Sequence, residues 1–221
     1  KAVFMKTIVI TSQKGGSGKT TLAAHLAVQI ERDGEGPAWL VDTDKQATLT
    51  RWHERREDET PQRLDAPFSR LAEGLGKLNK QGAAFCLIDT APTISEQSTT
   101  VLHLADLVLI PVRPSPADLW AVSETVELVK QARRPFLFVI TQAKPQANIT
   151  AQAIAALSQH GRVAQSFIAD RVSYAVAMTG GRTAPEVAAH SPAALEIAAL
   201  WEEVKECFHE KMKSGRKVAH G

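Results

Sequence analysis

The sequence predicts an α/β fold: a mostly parallel central sheet with helices on both faces. Three observations carry the prediction. Short apolar runs alternate with helical patterns along the whole chain. The runs are continuously apolar rather than alternating, which suits strands buried on both faces of a parallel sheet. A glycine-rich turn follows the first run and opens directly into a helical pattern. Strands are expected near 7–11, 38–42, 84–89, 107–111, 135–141 and 164–168. The breaks at Gly34-Glu35-Gly36-Pro37, Lys144-Pro145-Gln146 and Ser191-Pro192 read as short loops, not linkers. With 221 residues, 44% of them hydrophobic, the chain can bury one sizeable core, so residues 1–221 are expected to form a single domain. Lys1 to Phe4 precede Met5 and read as upstream residues outside the fold.

The first run, Thr7-Ile8-Val9-Ile10-Thr11, leads into Gln13-Lys14-Gly15-Gly16-Ser17-Gly18-Lys19-Thr20-Thr21. This is a phosphate-binding loop of unusual form. The common pattern G-x-x-x-x-G-K-S/T needs glycine where this chain has Gln13, and the loop carries a second lysine, Lys14, besides Lys19. A polyphosphate must be met by backbone N–H groups with no side chain in the way. Gly15, Gly16 and Gly18 permit positive φ and close approach. A helix starting near Lys19 would add its free N-terminal N–H groups and its dipole. Lys19 would reach the β- and γ-phosphates, and the Thr20 hydroxyl would coordinate Mg²⁺.

Two later runs end in carboxylates: Ala38 to Asp42, followed by Thr43 and Asp44, and Phe85 to Asp89, followed by Thr90-Ala91-Pro92. Ligands of open parallel sheets sit beyond the strand carboxyl ends, so Asp42, Asp44 and Asp89 should converge on the same crevice as the loop. A lone Asp after a strand is more often a turn former or helix cap. Three in register with a phosphate loop argue for a site.

The segment Lys14 to Thr20 resembles the deviant Walker A motif of the ParA/MinD class of P-loop ATPases. Val41-Asp42-Thr43-Asp44-Lys45-Gln46 is similar to the second acidic motif of that class, departing at Lys45 where proline is usual, and Leu87 to Pro92 is similar to its Walker B. Ala105 to Val112, Pro114-Ser115-Pro116-Ala117-Asp118 and Arg171-Val172-Ser173-Tyr174 with Gly180-Gly181 resemble the short plasmid-partition members. The resemblance implies ATP and Mg²⁺ as cofactors, with residues Lys14 to Thr21 holding the nucleotide. It implies Lys14 reaching across an ATP-dependent homodimer to the partner's nucleotide, Asp42 orienting the attacking water with Asp44 nearby, and Asp89 holding Mg²⁺ through water, with Thr20 and Asp42 also at the metal. Adenine is expected near Gln142, where the class more often has Asn, and near the loop from Ile168 through Asp170 to Arg171. Arg171 either contacts the base or forms a salt bridge. An adaptor resembling ParB would stimulate hydrolysis, and nonspecific DNA would serve as matrix. The near-immediate start at strand 1 leaves no room for the DNA-reading domain of larger relatives.

Composition narrows the rest. A net charge of +2 and a pI near 8.6 are mildly basic, far from the excess of a dedicated nucleic-acid binder. Arg51, Arg55 and Arg56 are expected on a polar helix among Glu54, Glu57, Asp58 and Glu59, their charge locally cancelled. Lys205, Lys211, Lys213, Arg216 and Lys217 form either a DNA-binding patch doubled by a dimer or a solubilising tail that complements the helix dipole. Ile197, Leu200, Trp201, Val204, Phe208 and Met212 recur at helical spacing. The stripe reads as a final core helix, with a MinD-like membrane-associated helix as the rival. With no signal peptide and no long apolar run, a cytoplasmic protein is expected, nucleoid-associated when ATP-bound. Cys86 and Cys207 form no C-x-x-C, which disfavours iron–sulfur carriers, and the seven His residues show no ligand spacing. An ATP-dependent ligase or synthetase would need an organic substrate pocket that no motif announces.

Overall fold

The computed structural model describes residues 4–93, 95–144 and 148–218, with the side chains of the last helix described as far as His209. Six parallel strands form one sheet: β1 (Lys6–Ile10), β2 (Ala38–Asp42), β3 (Gln62–Arg63), β4 (Phe85–Asp89), β5 (Leu107–Val112) and β6 (Phe136–Ile140), in the order β3-β2-β4-β1-β5-β6. The helices are α1 (Lys19–Arg32), α2 (Thr48–His53), α3 (Leu71–Lys80), α4 (Glu96–Leu104), α5 (Pro116–Gln131), α6 (Asn148–Ser158), α7 (Val172–Thr179), α8 (Ala184–Val187) and α9 (Pro192–Val218).

Alternate residues of each strand feed two separate cores. Ile8, Leu40, Leu87 and Leu109 face α1, α2 and α9, while Val9, Val41, Ile88 and Val108 face α3, α4, α5 and α6. Every strand in the middle of the sheet is therefore buried on both sides, as its unbroken apolar run requires. The stripe of α9 lies in the first core: Ile197, Leu200, Trp201 and Val204 are fully buried, and Trp201 meets Phe85 edge to face. The membrane-helix alternative for these residues is corrected accordingly; Met212 lies beyond the described side chains. Among the described residues, no helix is long and apolar enough to cross a membrane.

Three further expectations need correction. Residues 164–168 do not form a strand. The segment bonds to β6 through Ala164 N–H to Phe138 O and Ile168 N–H to Ile140 O, but between these points the N–H groups of Gln165 and Ser166 donate to the Glu203 carboxylate of α9 at 2.8 and 2.7 Å. A side-chain acceptor has displaced the ladder. Conversely, the two-residue β3 carried no apolar run by which it could be recognised.

Arg51, Arg55 and Arg56 do not share one solvated helix. The helix ends at His53, and the Arg56 side chain is only 2% exposed. Its guanidinium forks onto Glu186 at 2.7 and 3.2 Å, donates to Gly181 O, and lies over the Trp52 ring. Lys205 likewise leaves the expected basic patch, pairing with Glu35 and Glu202 at 2.8 and 2.7 Å. The side chains of Lys211, Lys213, Arg216 and Lys217 lie outside the described residues.

Candidate nucleotide-binding site

The loop between β1 and α1 is held from behind through its carbonyls. Lys19 Nζ donates to Ser12 O and Lys14 O, both at 3.1 Å. Gln142 Nε2 donates to Gly16 O at 2.6 Å, and Thr141 Oγ1 donates to Ser17 O at 2.8 Å. With these carbonyls held by side chains, the N–H groups of Gly15, Gly16 and Gly18 to Thr21 have no backbone acceptor among the described residues. Gly18 caps α1 with no side-chain bond. Gly16 (φ +71°) and Gly18 (φ +92°) occupy the left-handed region that the turn demands. Gly15 does not, and a Cβ there would meet nothing, so its requirement is not imposed by the folded backbone.

The carboxylates converge as expected. Register pairs Asp42 with Asp89 across β2 and β4, placing both at the sheet's carboxyl end. Asp89 is 1% exposed and accepts the Thr20 hydroxyl on Oδ2 at 2.6 Å, while its Oδ1 is buried without a partner. Burial, reinforced by Asp42 and Asp44 and opposed by Thr20 and Lys19, pushes its pKa up to about 7. Burial also lowers the pKa of the Lys19 ammonium, against the pull of Asp89 and Asp44. Asp42 spends both oxygens on backbone, accepting the N–H groups of Asp44 (3.0 Å) and Thr50 (2.8 Å), so it shapes the turn that presents Asp44. Asp44 lines an open cleft of about 330 Å³ with Gly15 to Thr21, Gln46, Thr48, Pro92 and Gln142. Lys14 is half-buried, and among the described residues its ammonium has no partner.

A second hollow of about 190 Å³ adjoins it, lined by Gly18, Thr21, Leu22, Thr141, Gln142, Ile168 to Arg171, Tyr174 and Ala175. Gln142, Asp170 and Arg171 thus lie together, although the Gln142 donor is engaged on the loop. Of the two alternatives for Arg171, the ion pair is present: it bonds Glu196 at 2.7 and 2.8 Å, and Glu196 also accepts the Tyr174 hydroxyl.

Orphaned donors and acceptors decide what fits. The free N–H groups, the unpartnered buried Ser17 hydroxyl and the two lysines suit the oxygens of a polyphosphate. Among the described residues, no group of three or more His, Cys, Asp or Glu could hold a metal ion. A divalent cation at Thr20 and Asp89 would therefore complete its shell with phosphate and water oxygens, the habit of Mg²⁺. Burial pushes the Cys86 thiol up to about 12, which leaves it an inert core residue.

Sheet order, loop and carboxylates define a P-loop nucleotide-binding protein. Residues 8–183 match the CobQ/CobB/MinD/ParA nucleotide binding domain, and the chain belongs to that family. It is 31% identical over 152 residues to the maintenance of carboxysome distribution protein A of Halothiobacillus neapolitanus, covering 65% of this chain and 69% of that one. It is 29% identical over 130 residues to protein ParA of Rhizobium radiobacter, covering 58% of this chain and 57% of the relative. The fold matches the septum site-determining protein MinD of Pyrococcus horikoshii, solved with Mg-ADP, at a TM-score of 0.74 and 19% identity, over 90% of this chain and 96% of that one.

Sequence reasoning missed two parts of the site: Thr141, whose hydroxyl braces the loop, and Arg113 beside Gly16. A threonine at a strand end carries no distinguishing signal. Arg113 was visible only as the residue before Pro114-Ser115-Pro116.

Proposed function

We propose that the chain is an ATPase that partitions or positions a cargo, cycling between an ATP-bound dimer and a released monomer with nonspecific DNA as its matrix. The observation that carries this reading is a second lysine in the phosphate loop, Lys14, half-buried and without an ion-pair partner among the described residues. Lys19 and the loop N–H groups suffice for a nucleotide within the subunit, so Lys14 is available to a second one. Lys14, Lys19, Asp42 and Asp44 are proposed as the catalytic set and residues 14–21 as the phosphate cradle. Thr20 and Asp89 would hold Mg²⁺, with Asp42 adjacent. The cation would neutralise charge on the transferring oxygens. Gln142, Asp170 and Arg171 would bound the base. The family match and the similarity to ParA and to a carboxysome-distribution protein support partition or positioning as the task. With Lys205 committed to ion pairs, a DNA-binding surface on α9 would draw on Lys211, Lys213, Arg216 and Lys217. An adaptor protein would stimulate turnover and choose the cargo.

Sedimentation of the chain and of Lys14→Ala, with ATP, ADP or no nucleotide, tests the cycle. The unaltered protein is expected to dimerise with ATP alone; Lys14→Ala should bind ATP yet stay monomeric and turn over at least a hundredfold slower, the scale of a charge supplied in trans being about 10³–10⁵. A normal ATP dimer in Lys14→Ala removes the reading of that residue. A gel shift on random duplex DNA across a salt series tests the matrix, with binding expected only with ATP and falling steeply with salt.

A further inference from the structure

Arg113 follows Val112, the last residue of β5. Its guanidinium is one-third exposed and is gripped by Asp118, which is 4% exposed: Nε donates to Oδ1 at 2.9 Å and Nη2 to Oδ2 at 3.1 Å. Asp118 is itself fixed. Ser115 caps α5 by accepting the Asp118 N–H at 3.2 Å, and its hydroxyl donates back to Asp118 Oδ2 at 2.5 Å. Pro114 and Pro116 hold φ on either side of Ser115. The segment Arg113-Pro114-Ser115-Pro116-Ala117-Asp118 is thus a rigid bracket whose product is one guanidinium orientation.

The remaining nitrogen of that guanidinium faces the phosphate loop. A Cβ built on Gly16 would lie 3.5 Å from Arg113 Nη1, so the arginine packs against the loop at its left-handed glycine. The Gly16 carbonyl accepts from Gln142 Nε2 at 2.6 Å. Nη1 thus lies against the glycine turn of the loop. Among the described residues it has no acceptor. A cation pressed against a donor-rich loop is electrostatically unfavourable until an anion arrives, and the penalty turns into a gain in proportion to the anion's charge.

We infer that Arg113 is a positioning residue of the phosphate loop that favours a nucleoside triphosphate over a diphosphate: the Asp118 bracket sets it against Gly16, where it packs on the loop and adds a cation to that of the two lysines. The inference rests on the nucleotide reading of the site and adds a determinant of triphosphate selectivity. Arginine is needed because only its planar fork can satisfy Asp118 bidentately while directing a third nitrogen elsewhere.

The test is titration of fluorescent ATP and ADP analogues with Mg²⁺ into the unaltered chain, Arg113→Gln, Arg113→Lys and Asp118→Asn, each with its urea midpoint. Arg113→Gln is expected to lose about tenfold in ATP affinity and less than about threefold for ADP, the charge acting mainly on the extra phosphate. Arg113→Lys should recover ATP affinity only in part, and Asp118→Asn should resemble Arg113→Gln. Equal losses for both nucleotides, tracking a lowered urea midpoint, would show that the bracket is fold support alone and overturn the inference. Unchanged affinities in Arg113→Gln would overturn it as well, leaving the nucleotide site standing. An unaltered chain that binds neither analogue would remove both readings.

Discussion

At neutral pH the imidazole of His25 is uncharged, because complete burial pushes its pKa down to about 4. Its Nδ1 donates to Thr21 O at 2.8 Å and its Nε2 accepts the Ala184 N–H at 3.1 Å, which ties the first turn of α1 to α8. As pH falls from the ordinary histidine value near 6.5 towards 4, the unfolded chain takes up a proton that the folded chain refuses. Stability should therefore drop by up to about 3 kcal/mol over that window. Asp89 works in the opposite sense, since its raised pKa makes the folded state the first to take a proton as pH falls. The two are separated by comparing the unaltered chain with His25→Gln in urea at pH 7.5 and 4.5. The advantage of the unaltered chain should shrink at the lower pH by about 2–3 kcal/mol, and a constant advantage would contradict the assignment. Arg56 offers a second prediction at this scale. Removing one partner of a buried ion pair strands the other, so Arg56→Ala should cost about 3–5 kcal/mol, whereas exposed Arg51→Ala should cost under about 0.5 kcal/mol. Equal urea midpoints for the two variants would restore the solvated-helix expectation. Neither role was legible in the sequence. The partners of Arg56 and His25 lie 130 and 159 residues away, and no local pattern encodes such pairings.

Elements were legible where local chemistry and burial agreed. The runs ending in Asp42 and Asp89 became strands because both faces of the sheet are covered, and α1 begins at Lys19 because the glycines before it permit the turn. They were illegible where a distant side chain intervened. Residues 164–168 have a strand-like composition, yet Glu203 takes the Ser166 N–H that would continue the ladder to β6. The stripe of α9 was ambiguous between core and membrane, since periodicity reports an apolar face and not what covers it. Its burial leads to a direct expectation: Trp201→Ala should cost about 3–5 kcal/mol in urea unfolding, as loss of a fully buried aromatic does. The unaltered chain's co-sedimentation with anionic vesicles should stay at background. Vesicle binding abolished by Trp201→Ala without loss of stability would reverse the reading of this helix.

For the whole molecule, ligand and fold should be linked through the loop that joins β1 to α1. A nucleotide that binds only the folded chain stabilises it by about 2.7 kcal/mol at a hundredfold excess over Kd. For a chain of this size that corresponds to a rise of about 5–11 °C in Tm. ATP with Mg²⁺ should produce that rise in a thermal melt, EDTA should remove most of it, and Lys19→Ala should abolish it. An unchanged rise in Lys19→Ala would place the nucleotide elsewhere. The margins of the sheet carry a different consequence. One margin is the two-residue β3, and the other, along β6, is covered by the 162–169 segment, whose own pairing Glu203 interrupts. Among the described residues, neither offers a long row of unpaired backbone on which another chain could add a strand. Self-association of this protein would then run through side-chain surfaces, whose contacts a single charge can make or break. That is the condition for assemblies that come apart on demand instead of growing into fibres.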